Sequence, residues 1–305
     1  MLLALTWTAA LCAGLSSPSS TEIIYDSLCI TDRALYSSGI GNYCGGEDAI
    51  GGSYDLQTAD NFLVKRDVFV TVVTSDSLTH LGLVPKKLCV GFYGDEDDDC
   101  IADQQAQHFE EATRIESAPF DDSVYGFNGM RTTAHLSYPP MLRSGSWFGS
   151  FQPASTDWGY SPISYGSCGS SEYLCGANYR DGGELNGCCD GLGAFGSEEW
   201  RCDCFYGLKI SMRIEGIPAG DCVGTERVTA ACKPGDGERL GKIVVKVRDG
   251  QPNGIVTALL DPPDPRSMSI ALDGAGRGKG KFKGVALGEH RVFVCDSIVN
   301  VTCAP

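Results

Sequence analysis

Apolar and polar residues alternate with a period of two over many short stretches of this chain, and a helical period is hardly kept anywhere. Val68–Thr74 (VFVTVVT) is β-branched at every position but Phe69, as a strand buried on both faces tends to be. Leu88–Tyr93, Thr132–Ser137, Trp147–Gln152 and Leu208–Ile214 continue the series. LKISMRI, the last of these, alternates strictly, which predicts a half-buried strand. Only 104–115, QQAQHFEEATRI, has a pattern compatible with a helix. Further strands are expected at Lys242–Arg248, Ile255–Leu260, Met268–Leu272, Lys281–Val285 and His290–Cys295. Turn sequences DGQPNG, DPPDP, DGAGRG and ALGE separate them, and short strands at such spacing predict a small sandwich. Between 153 and 204 there is almost no periodicity. That Gly-, Ser-, Cys- and aromatic-rich stretch reads as loop held by disulfides.

Composition supports an all-β chain. Gly supplies 39 of 305 residues, near twice the usual share, without the period of collagen. Hydrophobic residues make up 42%, too many for a disordered chain. The net charge is −15, which argues against a nucleic-acid partner, because phosphate binding needs a cationic surface. The charge is unevenly spread. Residues 221–305 hold 12 basic and 10 acidic residues, net +2, leaving 12 and 29, net −17, in residues 1–220. The expected organisation is therefore an acidic, disulfide-rich sandwich over 21–220, a Gly/Pro-rich linker over 221–240 and a small sandwich over 241–305. Residues 1–20 read as a signal peptide. Their apolar run, MLLALTWTAALCAGL, is too short to span a bilayer and leads into small and polar residues, although no Lys or Arg precedes it. No later stretch reaches transmembrane length.

Fifteen cysteines, one of them within that leader, leave fourteen for pairing: Cys29, Cys44, Cys89, Cys100, Cys168, Cys175, Cys188, Cys189, Cys202, Cys204, Cys222, Cys232, Cys295 and Cys303. An even and large number points to an oxidising compartment and a disulfide framework whose connectivity spacing does not fix. Local closure is expected to be favoured, because short loops lose less entropy on closing. The cluster Cys188, Cys189, Cys202, Cys204 has the four thiols of a zinc site. Vicinal CC and CDC spacing fits zinc poorly, so two bridges are the expected state there.

Residues TADNF (Thr58–Phe62), VFVTVV, KLCVGFYGDEDDD, SGSWFGSFQPA and LKISMRIEG together resemble bacterial secreted β-jelly-roll modules of the kind often carrying PEP-CTERM sorting tails. The resemblance covers most of 55–216 and implies a jelly-roll-like β-sandwich, with the departure that no sorting tail is expected here. Residues 240–296, with GKIVVKVRDGQPNGIVTALLD and GRGKGKFKGVALGEHRVFVC, resemble small repeat-like sandwich modules of other secreted bacterial proteins, and the expected fold there is a small Ig-like or prealbumin-like β-sandwich. Neither resemblance implies a reaction.

Candidate chemistry is sparse. Asp95, Asp97 and Asp99, in the run Asp95–Asp99, can turn oxygens onto one Ca²⁺, or the run can be a solvated hairpin tip. Ca²⁺ is the one cofactor to consider. Trp158, Tyr160, Tyr165, Tyr179 and Trp200, interleaved with Asp157, Asn178, Asp181 and Asn186, can form an aromatic platform for a sugar or fill a core that the irregular loop otherwise lacks. The four histidines, His80, His108, His135 and His290, fall in no zinc-protease motif, and no GxSxG elbow occurs. DGAGRGKGK has the glycines of a phosphate loop but lacks its GK[ST] ending, and reads as a turn. The lysines after it suit edge-strand protection or an acidic partner. The expected function is a secreted, non-catalytic binding or structural protein of the cell exterior. Its expected partner is a glycan or cell-surface polymer. A carbohydrate-active enzyme, a glycoside hydrolase or lyase using carboxylates of the first module, is the alternative.

Overall fold

A computed structural model describes residues 21–28, 34–36, 56–79, 84–85, 87–96, 102–103, 106–112, 114–124, 127–154, 159–160, 162–165, 178–181, 201–202, 208–233, 235, 240–261 and 266–304. Every regular element among them is a β-strand. The first are β1 (Glu22–Asp26), β2 (Ala34–Tyr36), β3 (Leu56–Val64), β4 (Val68–Thr79), β5 (Lys87–Tyr93), β6 (His108–Ala112), β7 (Ile115–Val124), β8 (Phe127–His135), β9 (Met141–Leu142) and β10 (Gly145–Ala154). Short strands follow: β11 (Gly159–Tyr160), β12 (Pro162–Tyr165), β13 (Asn178–Asp181), β14 (Arg201–Cys202) and β15 (Leu208–Ile210). Then come β16 (Met212–Pro218), β17 (Arg227–Lys233), β18 (Gly241–Arg248), β19 (Ile255–Leu260), β20 (Arg266–Ala271), β21 (Gly278–Val285), β22 (Gly288–Val294) and β23 (Ser297–Cys303).

Two large antiparallel sheets carry the first half, with a three-stranded sheet, β15-β12-β2, beside them. One runs β1-β16-β4-β8-β7, with β9 and β11 also on β4; the other runs β14-β13-β3-β10-β5-β6. Alternation, shifted by a bulge between Val70 and Val72, puts Val68, Val70 and Val73 of β4 and Met212 and Ile214 of β16 on one inner face. Phe62, Leu88, Val90, Phe92, Trp147 and Phe151 occupy the other, and all belong to one core. At its centre the rings of Phe62 and Phe151 stand edge-on to Phe92, at 6.2 and 5.6 Å between centroids, an arrangement favoured by the ring quadrupoles.

The second half is a seven-stranded sandwich. A three-stranded sheet, β17-β18-β21, faces a four-stranded sheet, β20-β19-β22-β23. Ile243, Val245 and Val247 meet Val256, Ala258, Leu260, Val292 and Val294 in its core. Cys232 of β17 bridges Cys303 of β23, and Cys222 bridges Cys295 after β22. These bridges span 71 and 73 residues, so the expectation of local closure does not hold for them. The sandwich brings distant strands together, and closing so long a loop restrains the unfolded chain more.

The two sandwiches touch through outer faces. Phe69, Ile217 and Ala219 pack on Leu259 and Phe293. Arg143 donates to Asp67 (2.7 Å), to the Cys222 carbonyl (3.0 Å) and to Asp296 (2.5 Å). Gly220, with φ +87°, pairs with Val256, and a Cβ there would lie 2.2 Å from the Ile255 carbonyl oxygen, so the close approach requires glycine.

Three expectations change. The stretch 104–115 is not helical where it is described: His108–Ala112 is β6, paired with β5, with Glu110 and Ala112 turned inward. Tertiary pairing at an open sheet edge overrides the propensity of QQAQ and EEA. LKISMRI does not form one strand, because β15 pairs with β12 while β16 pairs with β4. The expected linker carries β17, Cys222 and Cys232 of the second sandwich; Gly and Pro in that stretch mark turns around a strand.

Candidate functional site

Buried polarity gathers at one end of the first sandwich. β3 and β4 meet at Lys65–Asp67, beside the junction, and near that end the interior is apolar. In the halves of the strands away from it, Ser27, Asp60, Ser75, Ser77 and Thr132 are buried between the sheets with Tyr25. The Asn61 N–H donates to the Asp60 carboxylate at 2.9 Å, and Tyr25 and Asp60 share a hydrogen bond. Burial, and then the Asp60 charge beside it, push the Tyr25 phenol far above its ordinary value. Ser27 closes β1 onto β16 by exchanging hydrogen bonds with Met212, each 3.1 Å.

The outer face of the same sheet carries a second set. Asp76 lies directly across from Arg131. The guanidinium grips the carboxylate through two bonds of 2.7 and 2.9 Å, and the Ser211 hydroxyl donates a third at 2.9 Å. Asp76 is fully buried although it faces outward. Beside it Asp26 receives both donors of Arg213, at 3.0 and 2.7 Å, and Thr74 bonds Thr133 across the sheet. Asp60 and Asp76 face opposite sides of the β4 sheet, so they do not flank a common cleft as paired glycosidase carboxylates do.

Of the expected ligand-binding residues, Tyr160 sits on β11 opposite Leu78 and Tyr179 sits on β13 opposite Thr58. Both backbone positions are at the polar end. Tyr165 lies on β12, opposite Leu208. Trp158 and Trp200 lie outside the described residues, and nothing is described of the three tyrosine side chains. For Ca²⁺, Asp95 is partly buried, while Asp97 and Asp99 lie outside the described residues. Ala102 packs with Tyr93, Phe148 and Ala59 on the second sheet. Cys89 is disulfide-bonded. Cys29, Cys44, Cys100, Cys168, Cys175, Cys188, Cys189 and Cys204 lie outside the described residues, and Cys202 is described only as a β14 backbone position.

Two titratable centres lie elsewhere. Glu110 accepts the Ser137 and Tyr138 N–H groups at 2.7 and 3.0 Å. Burial works against its charge, but those bonds and the His108 ring, whose Nε2 lies 3.7 Å away, hold the carboxyl below its ordinary value. His290 has both ring nitrogens on acceptors, the Asp261 carboxylate (2.6 Å) and the Ala286 carbonyl (2.9 Å). The glycine-rich DGAGRG is a turn. Its Ala275 and Arg277 N–H groups donate to the Asp273 carboxylate, each at 2.9 Å, so these donors are not aimed at a phosphate. A cysteine–carboxylate group at Cys222, Glu226 and Cys295 has its two thiols in a disulfide, which removes the thiolates a metal would need.

Reading the sequence missed the Asp60 and Asp76 centres. For Asp60 the available signal was a charged residue at an inward position of a strand pattern, TADNF, where alternation expects an apolar or small residue; Asp76 in TVVTSDS falls at an outward position, where alternation expects polarity, and carried no such signal. Among the described residues no helix is long and apolar enough to cross a membrane. No protein-family model matches the sequence, and no curated protein does.

Proposed function

We propose that this is a secreted, non-catalytic binding or structural protein of the cell exterior, with a glycan-binding end on its first sandwich. One observation carries the reading: β11 and β13 bring the chain positions of Tyr160 and Tyr179 to the end where buried carboxylates and hydroxyls gather and partly exposed guanidinium groups hold Asp76 and Asp26. Aromatic residues beside fixed polar groups are what a sugar site requires. The strand order supports a jelly roll for the scaffold, since β1-β16-β4-β8 facing β3-β10-β5-β6 interleaves the chain as two Greek keys do. The three-plus-four partition of the second sandwich suits an Ig-like module. Disulfides closing loops of 71 and 73 residues favour an oxidising compartment and export. The enzyme alternative has less support, because Asp76 is committed to Arg131 and Asp60 to Tyr25.

The test is a glycan array probed with the oxidised full-length protein, repeated with Tyr160→Ala and Tyr179→Ala. Retained glycans that both variants lose, with no cleavage of the bound sugars, are the expected result. Failure to retain any glycan, or hydrolysis of one, overturns the reading.

A further inference from the structure

The second sandwich presents a face whose composition its own folding does not require. In the sheet β17-β18-β21, Ile243, Val245, Val247 and Phe282 turn inward, so the alternate positions face outward. Those positions include Lys233, Lys242, Lys246, Arg248, Lys279, Lys281 and Lys283, all exposed. The register sets them side by side. Lys242 lies opposite Lys233 on one flank and Lys283 on the other, Lys246 lies opposite Lys279, and Arg227 lies opposite Arg248. The three strands contain no Asp or Glu. Arg227 has a carboxylate, Asp249, at 3.2 Å; among the described residues none of the six lysines has one.

Like charges directly opposite one another destabilise a sheet. Edge protection explains lysines on β21, an edge strand, but not Lys242 and Lys246 on the central strand β18. The inward half of the β21 pattern has its own cause: a Cβ at Gly280 would lie 2.3 Å from the Met268 methyl, so glycine lets β21 close on β20. On the outward side Val244, opposite Ala231 and Lys281, is itself buried, and covering one valine does not call for six lysines.

The face also points away from the acidic half. Leu259 and Phe293, which meet the first sandwich, belong to the other sheet, and stacked sheets lie about 10 Å apart. The cations form a lattice, about 6.7 Å between alternate residues along a strand and about 4.8 Å between strands. A lattice of fixed charges matches a polymer that repeats its own. Lysine heads are mobile point charges that accept carboxylate or sulfate in many orientations. No aromatic side chain faces outward from these strands, which removes the stacking a single-stranded nucleic acid needs.

We propose that the outer face of β17-β18-β21 is a docking surface for a linear anionic polysaccharide, carboxylated or sulfated. The proposal is independent of the glycan site at the tyrosine end. Heparin, polygalacturonate, neutral dextran, double-stranded DNA and phosphatidylglycerol vesicles are titrated against the oxidised full-length protein over a range of salt. Wild type is expected to bind heparin or polygalacturonate and not dextran. Lys242→Gln with Lys281→Gln is expected to weaken binding at least about tenfold and to flatten the log affinity–log salt slope by about two. Lys65→Gln with Arg114→Gln, exposed charges of the first sandwich, is expected to leave both unchanged. Circular dichroism of the face variant guards against misfolding, which is not expected where repulsion is relieved. Equal loss in both variants, no binding of either polysaccharide, or tighter binding of DNA or vesicles overturns the proposal. So does self-association of the protein alone that the face variant abolishes, which identifies an interface between copies.

Discussion

At the scale of single residues, charges in this protein serve mainly as cross-strand fasteners. Asp76 is the clearest case, because a fully buried carboxylate on the outer side of a sheet is tolerable only with its Arg131 and Ser211 partners present. Asp76→Ala strands a guanidinium, and Arg131→Ala strands a buried carboxylate. Each is expected to cost about 2–4 kcal/mol, less than a fully dry pair would, since Arg131 is 42% exposed. The double variant should cost clearly less than the sum of the two. Urea titrations of the four proteins check this, and additive costs would show that the pair is not coupled. His290 sets a pH dependence of known sign. Burial lowers its basicity, but Asp261 and the Ala286 carbonyl outweigh burial and a repelling Arg266, and the folded value lies above the ordinary 6.5. Its stabilising contribution is therefore complete below that ordinary value and is lost as pH rises through the folded one. The melting-temperature advantage of wild type over His290→Gln should be larger at about pH 5.5 than at about pH 8.5; a constant or reversed difference would remove the latch.

At the scale of elements, alternation located the strands and little else. β4, β5, β10, β18, β19 and β22 fall within a few residues of their expected positions, because each buries one face or both and the period records it. β6 escaped because the residues HFEEA turns inward are His108, Glu110 and Ala112, two of them titratable and none a large apolar side chain. β17 escaped because RVTAACK turns small residues inward and sits amid turn residues. Register, which decides whether lysines oppose lysines, has no signature within a single strand. The basic sheet yields a stability prediction apart from any ligand. Lys242→Thr and Lys246→Thr each relieve cross-strand repulsion and improve strand propensity, and each should stabilise the second sandwich by roughly 0.2–1 kcal/mol. Calorimetry at low salt is the measurement, and the gain should shrink as salt rises. A loss in stability would mean that those lysines have anionic partners within the protein.

At the scale of the whole molecule, the charge step along the chain was legible, but the place where the second sandwich begins was not. Composition put the boundary inside 221–240, at the Gly- and Pro-rich turns. Pairing puts it nearer Ala219, because β17 completes the three-stranded sheet and both bridges start before residue 241. The consequence is a fragment experiment. A chain of residues 241–305 lacks β17, leaves Cys295 and Cys303 without partners and exposes the flank of β18. Removing bridges that close loops this long gives up about 4 kcal/mol each by chain entropy, more than a core of some 65 residues can spare. A chain of residues 219–305 keeps both bridges and all seven strands, and loses only the cover that Phe69 and Ile217 give to Leu259 and Phe293. The longer fragment should therefore fold under oxidising conditions, with dispersed amide resonances, two disulfides by mass and a cooperative melt, while the shorter one stays unfolded. Phe293→Ser is expected to improve the solubility of the longer fragment and to destabilise the full-length protein, where that ring is buried at the junction. If 241–305 folds as well as 219–305, neither β17 nor the two bridges holds the second sandwich together. If 219–305 is also unfolded, the junction is part of its core, and the two sandwiches fold only as one unit.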